Sequence, residues 1–142
     1  MLVKELMTAA PVSLEADEPV AAAARLMRER NIGALPVCDA EGRLVGMLTD
    51  RDIVTRCVAS GASASHVRVS DVMSRGAVTA GADEPLDTAL RRMQREQIRR
   101  LPVTEGGRLV GMLSLADVAR TGRHAAETAE ALSRITSNVC RK

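Results

Sequence analysis

A duplication inside the chain is the feature that most constrains its fold. Residues 42–52 read GRLVGMLTDRD and residues 107–117 read GRLVGMLSLAD, so seven letters repeat in an unbroken row. A hydroxyl and an acid follow in each copy, at Thr49 and Asp52 in the first and at Ser114 and Asp117 in the second. Such a repeat predicts one structural unit built twice, and any function must use that unit.

The duplication extends over most of the chain. Residues 3–37 align with residues 69–103, where ADEPV returns as ADEPL and LPV recurs. The turn after LPV is one residue shorter in the second copy. The predicted organisation is a first repeat at 1–61, a linker at 62–68, a second repeat at 69–121 and a C-terminal helical tail at 122–142.

Each copy has the same order of elements. A short strand, at 12–14 or 78–80, precedes a helix that is expected to end near residue 30 or 96. Its N-cap is expected at Asp17 or Asp83, its first turn holds Pro19 or Pro85, and its apolar stripe is Val20, Ala23 and Met27 or Leu86, Ala89, Leu90 and Met93. Two extended runs around a tight turn, and a second helix opening near Asp50 or Leu115, complete a β-α-β-β-α unit.

A unit of about 60 residues cannot cover its own sheet, so two copies must share the task. The predicted fold class is therefore α/β (α+β), with two pseudo-symmetric β-α-β-β-α repeats packed face to face, plus a C-terminal helix. After a helix stop at Gly122, the tail places Ala129, Leu132, Ile135 and Val139 on one face and pairs Glu130 with Arg134. That face can pack on the chain itself or belong to an interface.

Composition narrows the range of partners and compartments. The net charge is +2 and the chain has no Phe, Tyr or Trp, so it offers neither a basic field nor a stacking platform, and nucleic acid is not expected. The first residues hold no long apolar run, which predicts no membrane contact and a cytoplasmic location. Three widely spaced cysteines predict no disulfide framework, and together with His66 and His124 they show no metal-ligand spacing.

The combination of IGALPV, MLTDRDIV and a twice-repeated LPV, turn and GxxTxxD pattern is a specific one. Over roughly residues 1–121 the chain resembles a tandem pair of cystathionine-β-synthase (CBS) domains, of the small stand-alone bacterial type that includes the hypoxic-response group. The resemblance implies a regulatory homodimer with two clefts that bind AMP, ADP, ATP or S-adenosylmethionine, with no other cofactor required and a protein partner as a further expectation. No nucleophile–base set or phosphate-binding loop is recognisable, so an enzyme is not expected.

The resemblance also implies which residues bind. One cleft would take Thr8 and Val12 from the first copy with Ser114 and Asp117 from the second, and the other would take Ser74 and Val78 with Thr49 and Asp52. In the family pattern the acid bonds the ribose hydroxyls and the Thr or Ser faces the ribose or phosphate. A carboxylate suits a ribose because it can accept hydrogen bonds from both hydroxyls.

The residues around LPV distinguish the two clefts. Arg99 and Arg100 precede the second LPV and would face phosphate, whereas Gly33 and Ala34 stand there in the first copy, with Arg51 as a partial substitute. The Asp117 cleft is therefore the expected phosphate site. The strands would add Leu35, Pro36, Leu101 and Pro102, and adenine would lie among aliphatic side chains such as Val12, Leu101 and Met112.

A capping interpretation stays open beside the binding one. Thr49 and Ser114 can be helix N-caps, with Asp52 and Asp117 as the acids of a capping pattern, and the arginines can be a solvated surface pair. The chain would then be an interaction module with vestigial clefts. Ligand binding that depends on Asp117 while stability does not would separate these interpretations.

Overall fold

The computed structural model of the chain describes the backbone of residues 1–121 and 125–140 and the side chains of residues 1–121 and 128–136. The helices are α1 Val3–Leu6, α2 Val20–Arg30, α3 Asp50–Asp52, which continues as a π-helix over Ile53–Val58, α4 Val69–Val72, α5 Leu86–Glu96, α6 Leu115–Arg120 and α7 Ala125–Cys140. The strands are β1 Thr8–Ala9, β2 Leu14–Glu15, β3 Ala34–Cys38, β4 Leu44–Thr49, β5 Ala80–Gly81, β6 Arg100–Glu105 and β7 Arg108–Ser114. The predicted mixed α/β class with two sheets is confirmed.

The chain divides into two compact units that cut across the sequence repeats. The Ser114 unit is Met1–Pro11 with Val78–Lys142, and the Thr49 unit is Val12–Ala77. The Ser114 unit holds a sheet of order β1-β7-β6-β5, and the Thr49 unit holds one of order β2-β3-β4. The start of each sequence repeat thus belongs to the unit that contains the rest of the other repeat.

Backbone hydrogen bonds attach these exchanged segments in the same way in both units. Val3 N donates to Glu84 O at 3.0 Å, and its counterpart Val69 N donates to Glu18 O at 2.8 Å. One residue on, Lys4 N bonds Ala82 O at 2.9 Å and Ser70 N bonds Ala16 O at 2.9 Å. The two repeats therefore share the backbone contacts of their first segments as well as their sequence pattern.

The linker residues are ordered within the Thr49 unit. Ala21 N donates to Ala64 O and Val20 N donates to Val67 O, both at 2.9 Å, and the side chains of Ala64 and Val67 pack against the core. The sequence predicts only a linker here, but the backbone carbonyls of this segment accept hydrogen bonds from the N–H groups at the start of α2. It is part of the fold.

Helices α2 and α5 end at Arg30 and Glu96, near the predicted positions, and their predicted apolar stripes are buried. The predicted N-caps are wrong. The chain stays extended through Pro19 (ψ 147°) and Pro85 (ψ 138°), so each proline is itself the N-cap, with no side-chain capping bond. Asp17 and Asp83 lie two residues before that cap and are therefore too early to take its place.

The first strand of each copy lies slightly later than predicted. The predicted strands were 12–14 and 78–80, whereas the structure has strands at Leu14–Glu15 and Ala80–Gly81. These pair in parallel with β3 and β6. Each copy also has an earlier contact that the sequence did not predict, since β1 pairs with β7 and Ser74 bridges to Met47. These additions place the start of each repeat against the last strand of a sheet.

Helix α7 packs on α5 and α6 through a face that differs from the predicted one. Thr128, Ala131 and Ile135 are its buried residues, whereas Ala129 is exposed and Leu132 is 43% exposed. Positions 128, 131 and 135 follow the i, i+3, i+7 spacing of one helix face, so the inclusion of Ala129 and Leu132 was wrong. The Glu130–Arg134 pair is confirmed at 2.9 Å, and Gly122 and the Val139 side chain lie outside the described residues.

The Ser114 unit contains a shielded ion pair that the Thr49 unit lacks. Arg92 Nη2 lies 2.7 Å from Glu84 Oε1, and Gly81 N donates to Glu84 Oε2 at 2.8 Å. Burial disfavours the charged carboxylate, but Arg92 and the Gly81 N–H outweigh it and hold the pKa of Glu84 below its ordinary value. The first repeat has Leu26 at the position of Arg92.

Glu84→Gln is expected to remove a pH-dependent part of the stability. Since the folded pKa lies below the ordinary value of 4.5, the pair stabilises the fold above that pH, and the contribution is lost as the pH falls through the folded pKa. Wild type should exceed the variant in free energy of unfolding by about 1 kcal/mol at neutral pH, with the difference closing as the pH falls through the lowered pKa of Glu84.

Urea unfolding at several pH values measures this difference. Glu96→Gln is the matched control, because the Arg95–Glu96 pair is exposed and should contribute little at any pH. A difference for Glu84→Gln that stays constant across the pH range contradicts the assignment.

Candidate functional site

The register of β1, β7 and β6 gathers polar residues on one face of the sheet in the Ser114 unit. Arg100 lies opposite Ser114, Pro102 lies opposite Met112, and Thr8 of β1 lies opposite Met112 on the other side. Opposed residues share a face of a sheet, and so do residues two apart along a strand. Thr8, Arg100, Pro102, Met112 and Ser114 therefore share one face.

The other face of the same strands is core. Leu101, Val103 and Leu113 each have 0% of their surface exposed. In the Thr49 unit Leu35 is likewise buried, at 2% exposure. The side chains of Leu101 and Leu35, both predicted as site residues, therefore point into the core and away from the hydroxyl-bearing face.

The Thr49 unit repeats this arrangement with different side chains. Ala34 lies opposite Thr49 and Pro36 lies opposite Met47. Ser74 bridges to Met47 through two backbone hydrogen bonds of 2.9 and 3.0 Å, as Thr8 pairs with Met112 in the other unit. Ser74, Met47, Pro36, Ala34 and Thr49 thus form the corresponding face.

A glycine within the last strand of each unit allows this close packing. A Cβ at Gly46 would lie 2.6 Å from Ser74 O and 2.9 Å from Met73 Sδ. A Cβ at Gly111 would lie 3.1 Å from Thr8 O and would overlap Met7 Sδ. The glycine of RLVGML is duplicated because the backbone of another segment crosses directly over it in each unit.

The duplicated hydroxyls are helix N-caps. Ser114 Oγ accepts from Asp117 N at 3.0 Å, and Thr49 Oγ1 accepts from Asp52 N at 3.0 Å. Asp52 Oδ2 also accepts from Thr49 N at 3.0 Å, which completes a capping box. The geometry of the capping interpretation is therefore present in both units, and binding would be an additional role of the same groups.

Asp52 and Asp117 differ in how many of their carboxylate oxygens bond to other groups of the protein. The Asp52 side chain is 12% exposed, with Oδ2 bonded to its cap and Oδ1 4.0 Å from Arg56 Nε. The Asp117 side chain is 20% exposed, and its Oδ1 lies 3.3 Å from Nη1 of the exposed Arg120. Within the described part of the chain, Asp117 Oδ2 accepts no hydrogen bond, so Asp117 retains more acceptor capacity for a ligand.

Two exposed arginines lie at the hydroxyl end of the Ser114 unit. Arg100 is the cross-strand neighbour of Ser114, and Arg99 O accepts from Leu115 N at 2.9 Å, which fixes the backbone of Arg99 beside the start of α6. Neither guanidinium has an ion pair or hydrogen bond to another described residue. These side chains are therefore available to an anionic ligand beside Ser114.

Asp50 is a residue of this region that the sequence reasoning missed. Asp50 N donates to Gly33 O at 2.9 Å, as Leu115 N does to Arg99 O, and a Cβ at Gly33 would meet Asp50 Oδ2 at 3.1 Å. The carboxylate thus lies against the position where the other unit carries Arg99. Comparison of the two repeats letter by letter, which pairs Asp50 with Leu115, would have found it.

The remaining predicted site residues are placed as follows. Arg51 is exposed on α3, one residue before Asp52. Val12 belongs to the Thr49 unit and Val78 to the Ser114 unit, so each lies in the unit opposite to the one that carries the hydroxyl and acid it was grouped with. Each unit by itself thus contains a hydroxyl, an acid and a residue of the preceding segment, at Ser114, Asp117 and Thr8 or at Thr49, Asp52 and Ser74.

Comparison with known sequences decides the family. The sequence profile of the CBS domain matches residues 3–59 and again residues 69–123. The chain belongs to the CBS-domain family. CBS-domain pairs are typically regulatory, non-catalytic modules.

Relatives of this CBS pair include stand-alone proteins of similar length. It is 40% identical to the CBS domain-containing protein YhcV of Bacillus subtilis and 38% identical to Hypoxic response protein 1 of Mycobacterium tuberculosis, each over 117 residues and 82% of both chains. It is also 30% identical to the L-aspartate semialdehyde sulfurtransferase of Methanocaldococcus jannaschii, over 84% of this chain and 23% of that protein. The match to that enzyme is thus confined to a minor part of it.

Solved CBS pairs share the fold and show what some relatives hold. Hypoxic Response Protein I with two coordinated zinc ions matches with a TM-score of 0.78 and 37% identity, over 84% of this chain and 98% of that one. The CBS pair of MJ0100, in complex with 5′-methylthioadenosine and S-adenosyl-L-methionine, has a TM-score of 0.74 and 30% identity, over 85% and 94%. CBSX2 in complex with AMP has a TM-score of 0.76 and 25% identity, over 88% and 98%.

The described residues of this CBS pair form neither a metal site nor a membrane span. Among the residues described, no three His, Cys, Asp or Glu side chains converge as a metal site would require. His66 is exposed, Cys38 and Cys57 are buried free thiols, and His124 lies outside the described residues. Nor does the described chain contain a helix long and apolar enough to cross a membrane.

Proposed function

We propose that this CBS pair is a regulatory protein that binds an adenosyl compound, namely AMP, ADP, ATP or S-adenosylmethionine. Ligand binding would change how the protein pairs with a second copy of itself or with a partner protein. The observation that carries the proposal is the grouping of Arg100, Ser114 and Asp117 beside Arg99 at one end of a sheet. The complexes of MJ0100 and CBSX2 support the ligand class.

Each group in this Ser114 site suits one part of such a ligand. The Asp117 carboxylate has acceptor capacity for the two ribose hydroxyls. The forked guanidinium groups of Arg99 and Arg100 suit a phosphate, which they can bind bidentately. Met112, which is half-buried and lies beside the buried Pro102, supplies an aliphatic surface on the same face for adenine, in a chain without aromatic residues.

Binding can regulate only if it favours one of two states. A ligand shifts the equilibrium between two states of the protein by the difference between its affinities for the two states. The two free arginines supply one source of such a difference in affinity, because a bound phosphate would neutralise charges that otherwise repel each other. Sedimentation velocity with and without AMP measures the expected change in the self-association of the CBS pair.

An interaction module without a ligand is the second candidate function. The capping bonds at Thr49 and Ser114 favour it, because they give both duplicated hydroxyls a structural task. In that case the acids would contribute to helix stability alone.

Ser114 and Asp117 separate the two functions experimentally. Asp117→Ala is expected to weaken AMP binding at least about tenfold with little change in stability, because its carboxylate holds no capping bond. Ser114→Ala is expected to lower the free energy of unfolding by about 1 kcal/mol through the lost N-cap. Calorimetric titration with AMP, ADP, ATP and S-adenosylmethionine, together with urea unfolding, measures both effects.

Two results would contradict the proposed binding function. Wild type that binds none of the four compounds, in titration or in thermal shift at high ligand, would favour the interaction module. So would an Asp117→Ala variant that loses stability while retaining wild-type affinity.

A further inference from the structure

The two half-sites of this CBS pair share a hydroxyl and an acid but differ in the charges around them. At the Ser114 site the variable positions are Arg99, Arg100 and Leu115. At the Thr49 site the same positions, reached through the same register and the same backbone hydrogen bond, are Gly33, Ala34 and Asp50. Two cations in one site are thus replaced by one anion in the other.

The cations near the Thr49 site do not restore the balance. Arg56 Nη1 donates to Val72 O and Met73 O, each at 3.1 Å, so its guanidinium is held by backbone carbonyls. Arg51 stands between Asp50 and Asp52 in the chain, and its side chain is exposed. A phosphate that entered here would meet carboxylates where the Ser114 site presents guanidinium groups.

We infer that the two sites divide adenosyl ligands by charge, an inference that rests on the proposed function. The Ser114 site takes a phosphorylated adenosyl compound. The Thr49 site takes an adenosyl compound without phosphate, whose 5′ substituent is a cationic sulfonium or a neutral thioether. Repulsion from Asp50 excludes phosphate there, in the way that like charges enforce specificity at other binding sites.

The position of Asp50 gives this exclusion a geometric basis. Its Oδ2 lies close to Gly33, and its Oδ1 accepts from Arg51 N at 2.8 Å, so the carboxylate is held beside the start of β3. In the other unit Arg99 and Leu115 occupy these positions. The absence of a side chain at Gly33 leaves room for the Asp50 carboxylate. In the Thr49 site a group that would repel phosphate thus lies where the Ser114 site carries Arg99, which would attract phosphate.

Competition in the wild-type protein is the first test and needs no variant. AMP and S-adenosylmethionine are titrated separately and then each into protein saturated with the other. Two sites of different selectivity predict that each compound still binds about one equivalent per chain in the presence of the other. Mutual displacement from a single site overturns the division while leaving the proposed function intact.

Charge exchange between the repeats is the second test, and the chain supplies its own template. Ala34→Arg with Asp50→Leu gives the Thr49 site two of the three residues that distinguish the Ser114 site and is expected to add a second AMP equivalent per chain. Arg99→Ala with Arg100→Ala is the matched loss and is expected to weaken AMP at least about tenfold while S-adenosylmethionine affinity stays unchanged. All of these positions except Ala34, which is half-buried, are exposed in the wild type, and circular dichroism checks that each variant is folded.

Each result has a distinct meaning. An unchanged AMP stoichiometry in the folded charge-exchange variant overturns the role of Asp50 in excluding phosphate. Loss of both ligands in the double arginine variant overturns the assignment of two sites. Wild type that binds neither compound contradicts the proposed function, and the division of ligands with it.

Discussion

Replacing Leu101 by alanine is expected to lower the free energy of unfolding by about 2–5 kcal/mol, the range for truncation of a fully buried leucine. Leu101 is 0% exposed and packs in the core of the Ser114 unit beneath β6. The lost side chain leaves a cavity that the neighbouring strands can close only in part. Urea unfolding monitored by circular dichroism measures the loss.

Met112→Ala is the matched control, because Met112 lies on the opposite face of the same pair of strands. Its side chain is half-buried, so truncation is expected to cost less stability than truncation of Leu101. It is expected to weaken AMP binding, whereas Leu101→Ala should leave the affinity of the folded protein near that of wild type. A reversed pattern, with AMP affinity lost in Leu101→Ala and stability lost in Met112→Ala, would contradict the assignment of the two faces.

Gly46→Ala is expected to destabilise the Thr49 unit by about 1–3 kcal/mol, although alanine adds only one methyl group. That methyl would lie 2.6 Å from Ser74 O, and this carbonyl already accepts a hydrogen bond from Met47 N at 3.0 Å. Relief of the overlap requires the segment that carries Ser74 to move away from β4. The expected result is a lower urea midpoint together with weaker binding of any ligand that contacts Ser74.

Alanine substitutions at two other glycines provide comparisons for Gly46→Ala. At Gly111 the overlapping atoms belong mainly to the flexible side chain of Met7, so Gly111→Ala is expected to cost less than Gly46→Ala. At Gly81 the nearest atom is Glu84 Oε2, at an ordinary 3.7 Å, so Gly81→Ala should change stability little. Equal costs at all three positions would show that backbone entropy, and not close packing, explains the glycines.

Much of the fold follows from local patterns that repeat. The apolar spacing of α2 and α5 is a property of each helix alone, so their ends and buried stripes could be predicted from sequence. The duplication pairs Thr49 with Ser114 and Asp52 with Asp117, and it identified both the candidate site and its capping alternative. The Glu130–Arg134 pair was predictable for the same reason, because residues four apart are neighbours on any helix.

Other features depend on partners that are distant in the chain. The face of α7 that is buried depends on α5 and α6, which is why Leu132 was misassigned. Which side of a strand faces the core depends on register, and a shift of one residue exchanges Leu101 with Pro102. Neither the packing partners of a helix nor the register of a strand can be read from the local spacing of apolar residues.

The amino-acid sequence alone indicates that a β-α-β-β-α unit occurs twice, that each copy carries a hydroxyl and an acid, and that the copies differ in charge at Arg99 and Arg100. The attachment of the first segment of each repeat to the other repeat's sheet, and the approach of Asp50 to Gly33, are visible only in the folded chain. The physical reason is that helix periodicity and capping are set by neighbours within a few residues. Strand pairing, close approach over a glycine and the facing of charges are set by the backbone that folding brings alongside.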